Sequence, residues 1–274
     1  DEWSGKVRLV FQPAEENGGG GREMIKAGLM DELPDACFAL HVENGAAGKL
    51  MVGKRYLTAY SDGYTITVHG KAAHSSTPEE GVDAVYIAAS IVTALHGLVS
   101  RNLSPMARAT LNIGVIHGGT APNIIADEVT LKLMMRNLSK ESREAMIEKI
   151  EKISVGTAEA LGGSCDLEFH AGYSAVYNDE NFSDFVADTF RKYSDGIYEE
   201  LGGGRPEDWL VTGENPLLGA EDFGFYSEKA PSCLIWVGVG GDAPKHSPCF
   251  HVDERYIKLC TRAMATVALE YLTR

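Results

Sequence analysis

The spacing of apolar and polar positions divides the chain into a regular middle section and two flanking sections. In the middle section, alternating or apolar runs predict four strands, over residues 64–69, 109–116, 129–135 and 165–169. Apolar residues three or four apart predict two helices, over residues 81–103 and 140–161. Ser139 is placed to cap the second helix and Gly162 to end it. The order β-α-β-β-α-β is that of the ferredoxin-like split unit.

The flanking sections are typical of two halves of one α/β layer. Short apolar runs predict strands over residues 6–12, 36–42, 49–52 and 233–239. Helical spacing predicts helices over residues 22–29, 182–192 and 253–272. Two apolar runs separated by a helix favour a parallel βαβ unit covered on both faces. We therefore predict an α/β domain made of residues 1–57 and 170–274, with a ferredoxin-like domain inserted at residues 58–169.

Composition and charge argue against several classes of partner. The 274 residues are 44% hydrophobic and 23% charged, which allows a sizeable core. A formal net charge of −14 opposes binding to nucleic acid or to an anionic membrane surface. The five cysteines are scattered without a Cys-x-x-Cys spacing, so we expect a reduced, cytoplasmic protein. Because a predicted strand begins almost at the first residue, with no initiator Met, we expect the sequence to be a piece of a longer chain.

Two adjacent carboxylates, Glu15 and Glu16, follow the first predicted strand in the stretch FQPAEENGGGG. The carboxyl ends of strands in an open α/β sheet are where ligands bind, so one carboxylate there could hold a metal while the other faces a bound water. A solvated acidic pair that begins a helix is the alternative, and the helix dipole favours it. A phosphate-binding glycine loop is rejected, because the carboxylates would repel phosphate and no Lys-Ser/Thr follows.

Two histidines are expected at the same edge of the sheet. His41 is placed at the end of the second predicted strand, and His246 lies in the polar loop after the strand at 233–239. Glutamate and histidine are ligands that suit zinc, whose catalytic sites keep one position open for water. His251, five residues after His246, is an alternative ligand, although a packed or exposed role is as compatible with its position.

The middle section has polar candidates of its own. His74 follows its first strand, Asn123 lies in the turn GGTAPN, and Arg136 ends its third strand. Imidazole, amide and guanidinium groups suit an oxyanion and a carboxylate. Taken one by one, each residue is also compatible with a structural role, because turns often use Asn and surfaces often use Arg.

A family resemblance joins these candidates. The stretches FQPAEE, FALH, GKAAHSSTPEEGVDA, GGTAPNIIAD, GAEDFGFY and KHSP resemble, in order and over nearly the whole chain, the aminoacylase, hippurate hydrolase and indole-acetyl-amino-acid hydrolase branch of the co-catalytic zinc peptidases. The resemblance implies an α/β/α catalytic domain with an inserted ferredoxin-like lid and dimerisation domain. It also implies two divalent metal ions (Zn, Mn or Co), a homodimer formed through the inserted domain, and an N-acyl amino acid or short peptide as substrate.

The resemblance assigns a role to each candidate residue. Glu15 matches the general base that deprotonates a metal-activated water. Glu16 and His246 match ligands of one metal, and His41 matches a ligand of its neighbour. The lid matches are His74 for the oxyanion, often across a dimer, and Asn123 and Arg136 for the substrate carboxylate. The loop from Gly219 to Phe223, which includes Glu221, matches a loop that lines the substrate pocket.

The sequence departs from the family at its front. Family members carry an upstream Cys-Gly-His-Asp-type motif that completes the two-metal centre, and none of the five cysteines in this chain lies in such a context. The catalytic domain is therefore expected to be incomplete, with weak or absent metal. The alternative function is a catalytically incomplete ligand-binding or dimerisation module derived from the same family.

Overall fold

The computed structural model describes residues 3–199 and 205–274, and it divides the chain into two compact units. The α/β unit comprises Asp1–Thr58, Val176–Leu217 and Glu221–Arg274. The inserted unit comprises Ala59–Ala175 together with Leu218–Ala220. The sequence-based domain boundaries at residues 57/58 and 169/170 stay a prediction.

Short strands and helices alternate along much of the chain. The strands are β1 Cys37–Glu43, β2 Leu50–Gly53, β3 Arg55–Tyr56, β4 Tyr60–His69, β5 Ala73–His74, β6 Ala109–Gly118, β7 Ile124–Ile125, β8 Glu128–Asn137, β9 Ser164–Tyr173, β10 Tyr177–Asn178, β11 Leu210–Gly213 and β12 Ser232–Gly238. The helices are α1 Glu15–Gly18, α2 Gly20–Lys26, α3 Ala84–His96, α4 Leu98–Asn102, α5 Lys140–Ala160, α6 Glu180–Lys192, α7 Ser194–Tyr198, α8 Pro206–Trp209, α9 Gly224–Ser227 and α10 Arg255–Leu272. Among the helices of these described residues, none is long and apolar enough to cross a bilayer.

The inserted unit has the predicted ferredoxin-like topology. Its antiparallel sheet has the order β6-β8-β4-β9, and α3 and α5 pack on one face. Strand β4 alternates so that Tyr64, Ile66 and Val68 are buried beneath the helices. This is the period-two pattern of a sheet with one covered face.

Capping side chains set the helix ends of the inserted unit. The helix predicted over residues 81–103 begins instead at α3, because the Asp83 carboxylate accepts the N–H groups of Val85 and Tyr86. Gly97 separates α3 from α4, so the single predicted helix is two. The predicted cap at Ser139 is confirmed, since its hydroxyl accepts the Ser142 N–H at the start of α5.

The α/β unit is a mixed sheet with helices on both faces. Its order is β1-β12-β2-β11, with β1 parallel to β12, β12 antiparallel to β2, and β2 parallel to β11. Every residue of β12 is buried. Cys233, Ile235 and Val237 pack with residues of α6 and α10, while Leu234 and Trp236 pack on the opposite face with residues of α2 and α9. The face that carries Trp236 also carries the candidate site.

The strand predicted over Lys6–Gln12 is wrong. This segment makes no ladder with any strand of the described residues, and its apolar side chains are exposed, with Phe11 at 87%. Within the same residues β1 pairs with β12 only, so the expected parallel βαβ unit does not form. The physical reason is that apolar and β-branched residues favour a strand when they can pack on a paired, half-buried sheet surface. Among the described residues, no neighbouring strand offers such a surface to this segment.

Candidate active site

Glu15 and Glu16 begin the short helix α1 instead of following a strand. The alternative interpretation of an acidic pair in the first turn of a helix therefore describes the local structure. The glycines after the pair allow close packing. A Cβ added at Gly20 would overlap the carbonyl oxygen of Pro13, and Gly19 lies at φ +60°, a left-handed conformation that favours glycine. These glycines fold the segment tightly upon itself.

A buried carboxylate, Asp222, holds this segment in place. Both Asp222 carboxylate oxygens accept hydrogen bonds from Gln12 Nε2, at 2.7 and 2.8 Å, and Oδ2 also accepts the Gly21 N–H at 2.9 Å. The Tyr226 hydroxyl donates to Gln12 Oε1 at 2.7 Å. Asp222 is 1% exposed, so these bonds replace the water that a buried carboxylate would otherwise lose. The segment that carries Glu15 and Glu16 is thus fixed at both of its ends.

Three carboxylates crowd together beside this anchor. Oxygens of Glu15, Glu221 and Asp222 lie within 4.8 Å of one another. Burial, with smaller contributions from the charges of Glu15 and Asp222, raises the pKa of Glu221 to about 7. Burial also raises the pKa of Glu15, together with the charges of Glu16 and Asp222. Both the burial and the mutual proximity of these carboxylates thus disfavour their charged forms.

His41 lies within β1 and not at its end, because the strand continues to Glu43. Its ring meets Trp236 edge-on at 5.1 Å between centroids, and Nδ1 is 2.6 Å from the carbonyl oxygen of Val42. Since that carbonyl can only accept, Nδ1 carries the proton and Nε2 keeps its lone pair for a ligand. Burial lowers the pKa of His41, so the ring is neutral at neutral pH.

His246 is brought to Glu16 by the loop that follows β12. Its Nδ1 lies 3.5 Å from Glu16 Oε1, and both side chains are exposed. The alternative ligand His251 is exposed. The structure therefore brings together Glu16 and His246 from opposite ends of the chain.

The residues of the α/β unit fit a divalent cation. Glu16 and His246 offer an oxygen and a nitrogen donor near one another, and His41 offers Nε2. A nearby positive charge would also stabilise the charged forms of Glu15 and Glu221, which burial and the neighbouring carboxylates disfavour. Imidazole with carboxylate is the donor set of catalytic zinc sites. These observations support a metal centre on the Trp236 face of the sheet.

The inserted unit brings together two of its three candidates. Strands β5 and β7 pair His74 with Ile124, and the Ser75 N–H donates to the Asn123 carbonyl oxygen. Arg136 lies near the far end of β8, eight positions or about 27 Å from the β8 residue Glu128, which pairs with the end of β4. Within one copy of the unit, Arg136 therefore lies apart from His74 and Asn123.

The predicted pocket loop is divided between the two units. Gly219 belongs to the inserted unit, where its carbonyl oxygen accepts the Ala59 N–H, whereas Glu221 belongs to the α/β unit.

Sequence reasoning missed the anchor formed by Gln12 and Asp222. Its one signal was that both residues stand within stretches that carry the family resemblance, FQPAEE and GAEDFGFY.

Comparison with known proteins gives the class of this fold and site. Residues 59–159 match the family model described as the peptidase dimerisation domain. A Bacillus subtilis structure described as a dinuclear metal-binding peptidase of the M20 family aligns with a TM-score of 0.76 at 26% identity, covering 96% of this chain and 64% of that one. The class is that of metallopeptidase-like hydrolases with an inserted dimerisation domain.

Curated relatives narrow this class to a family. Hippurate hydrolase of Campylobacter jejuni is 32% identical over 272 residues, covering 98% of this chain and 68% of the relative. Thermostable carboxypeptidase 2 of Saccharolobus solfataricus is 31% identical over 277 residues, covering 98% and 66%. The chain belongs to the M20 family of peptidases and amidohydrolases. It spans about two thirds of the length of these relatives.

The raised pKa of Glu221 predicts a specific pH dependence of stability. Between its ordinary value of 4.5 and about 7, the folded state binds more protons than the unfolded state. The free energy of unfolding should therefore fall as pH rises through this window, by up to about 3 kcal/mol. Glu221→Gln should remove most of this pH-dependent fall in stability. A smaller part should remain in the variant, because the pKa of Glu15 is also raised. Urea unfolding of both proteins at pH 5 and pH 8, with a chelator present, measures it, and parallel profiles would contradict the assignment.

Proposed function

We propose that this chain carries active-site residues of a metal-dependent amidohydrolase that cleaves N-acyl amino acids. The observation that carries the proposal is the approach of His246 to Glu16, 3.5 Å apart, with Glu15 adjacent in the chain. The relatives support the substrate class. Hippurate is an N-acyl amino acid, and a carboxypeptidase releases the last residue of a peptide. Both reactions hydrolyse an amide whose leaving group is an amino acid with a free carboxylate.

In this proposal, different residues of the α/β unit bind the metal ions and transfer the proton. Glu16 and His246 would hold one divalent ion, and His41 would hold its neighbour, with zinc, manganese and cobalt as the candidates. A bound divalent cation supplies Lewis acidity toward the substrate carbonyl and toward water. Glu15 takes the proton of the attacking water and delivers it to the leaving nitrogen. Its raised pKa suits both steps, because a base must also return its proton at neutral pH.

The inserted unit would complete the site as a lid. His74 is assigned to the oxyanion, and Asn123 and Arg136 to the carboxylate of the leaving amino acid. Because one copy of the unit holds Arg136 apart from His74 and Asn123, the two copies of a dimer would have to supply these groups together. Burial lowers the pKa of Arg136, and its Nη1 is buried without a hydrogen-bond partner among the described residues. Such a guanidinium gains from a carboxylate partner supplied by a substrate. Gly219 and Glu221 are assigned to the wall of the substrate pocket.

A non-catalytic ligand-binding or dimerisation module is the second candidate. The observation that favours it is the donor count. Glu16 and His246 form a two-residue pair, whereas catalytic zinc sites have three protein ligands. The two candidates differ in what the chain does with metal, so metal content and hydrolysis measured on one preparation separate them.

The proposed roles of Glu15 and Glu16 predict that their substitutions differ in the effect on metal content. The 274-residue chain is assayed with excess zinc, manganese or cobalt against hippurate and a panel of N-acetyl amino acids, and the released amine is measured. Glu15→Gln should lower turnover by about 10²- to 10⁴-fold with metal content unchanged, because it removes the general base. Glu16→Gln should lower metal content as well.

Two outcomes of this assay would count against these assignments. If the chain binds stoichiometric metal but releases no amino acid from any substrate, the module is the correct function. If Glu15→Gln loses as much metal as Glu16→Gln, Glu15 is a ligand. The exposed variant Glu228→Gln, in the same unit, is the control for preparation losses.

The homodimer is proposed to form through the edge of β6. Within the described residues this strand pairs only with β8, and Val115 and Ile116 on it are exposed. An open edge with exposed apolar residues suits pairing with a second copy. Val115→Lys with Ile116→Lys should convert dimers to monomers in sedimentation equilibrium, because two like charges would meet across the interface. Leu269→Lys, an exposed position in the α/β unit, should leave the dimer intact. An unchanged dimer in the double variant would rule out this edge.

A further inference from the structure

The loop that presents His246 is tied to strand β1 by an ion pair. Lys245 Nζ lies 2.7 Å from Glu43 Oε2. We propose that Lys245 and Glu43 are positioning residues that hold His246 toward Glu16 and thereby set the metal affinity of that pair. The inference rests on the proposed function only in assuming that Glu16 and His246 bind a metal. The role of the ion pair in holding the loop is argued from the loop geometry.

The ion pair is sheltered and the lysine is held on two sides. The side chains of Lys245 and Glu43 are 34% and 21% exposed, so solvent screens their attraction less than that of a surface pair. Lys245 Nζ also lies 5.5 Å from the centre of the Trp236 ring, a cation–π contact. Trp236 belongs to the buried central strand β12, and Glu43 is the last residue of β1. The lysine is therefore fixed to the rigid sheet.

The backbone at His246 needs such a support. His246 lies at φ +64°, in the left-handed region that a residue with a side chain occupies at a cost of about 1 kcal/mol or more. Such a conformation persists when surrounding contacts hold it. The Asn44 amide donates to the Ala243 carbonyl oxygen at 3.1 Å, and Ser247 N–H donates to the Pro244 carbonyl oxygen at 3.1 Å. Lys245 adds the ionic contact directly before the strained residue.

The same ion pair joins two proposed ligands. His41 is two residues before Glu43 on β1, and His246 directly follows Lys245 in the loop. Residues two apart on a strand point to the same face. The contact between Glu43 and Lys245 therefore ties the loop that carries one ligand to the strand face that carries the other. Loss of the contact would release the loop, while β1 stays fixed by its ladder to β12.

A direct effect of charge on the metal makes a different prediction. If the two side chains acted only through their own fields, removing the lysine cation would tighten metal binding and removing the glutamate anion would weaken it. If they act by holding the loop, removing either one weakens metal binding in the same direction. The sign of the two single substitutions therefore separates the mechanisms.

The experiment compares five variants of the full chain. Lys245→Met keeps the aliphatic stem over Trp236, and Glu43→Gln keeps the shape of the carboxylate. The others are the double variant, the charge swap Lys245→Glu with Glu43→Lys, and the conservative Lys245→Arg. Lys192→Met is the matched control, because Lys192 forms a 2.8 Å ion pair with Glu270 on α6 and α10 of the same unit. Zinc affinity is measured by competition with a chelator.

A second readout needs no metal. At positive φ the amide and α protons of one residue approach closely, so the metal-free wild-type chain should give a strong intraresidue NOE between these protons at His246. Lys245→Met and Glu43→Gln should each weaken this NOE and lower zinc affinity about fivefold. The double variant should be no worse than either single one, and Lys245→Arg and the charge swap should restore most of both signals.

Two results would overturn the inference. One is a change of zinc affinity in opposite directions for Lys245→Met and Glu43→Gln. The other is an unchanged NOE at His246 in both. If the wild-type chain binds no zinc, the proposed metal function fails on that measurement, and the NOE comparison still decides whether the ion pair holds the loop.

Discussion

The candidate site depends on one buried carboxylate and the groups that hydrogen-bond to it. Asp222, 1% exposed, accepts the Gln12 amide and the Gly21 N–H. A buried charge is stable only when it is paired or fully hydrogen-bonded, so these partners cannot leave without a large cost. Gln12 and Gly21 bracket Glu15 and Glu16. The acidic pair is thus positioned by hydrogen bonds to a loop more than 200 residues away, and no strand is needed for its placement.

The electrostatics of the site follow from this placement. Holding Glu15 against Asp222 also brings it to Glu221, so that oxygens of the three carboxylates lie within 4.8 Å of one another. Burial in the first place, and the neighbouring carboxylate charges in the second, raise the pKa values of Glu15 and Glu221. His41 approaches from a strand as a neutral ring, and His246 approaches Glu16 from a loop. Carboxylates beside imidazole rings offer the donor set of catalytic zinc sites.

The sequence predicted those parts of the fold whose signals are local. The ferredoxin-like order follows from periodicity, and the cap at Ser139 from its position before an apolar stripe. The features that the sequence did not predict depend on contacts between residues distant in the chain. Residues 6–12 have strand composition but no partner strand among the described residues, and Asp222 is identified only by groups distant in sequence. The separation of Arg136 from His74 depends on the length and register of β8, which a hydrophobic pattern does not contain.

The most direct test is anomalous diffraction at the zinc edge from crystals of the chain grown with zinc. We predict a peak within about 2.0–2.2 Å of a Glu16 carboxylate oxygen and a His246 ring nitrogen. We also predict that Gln12 and Gly21 remain bonded to Asp222. An ordered segment around Glu16 with zinc bound elsewhere, or with His246 turned away from it, would contradict the proposed metal centre.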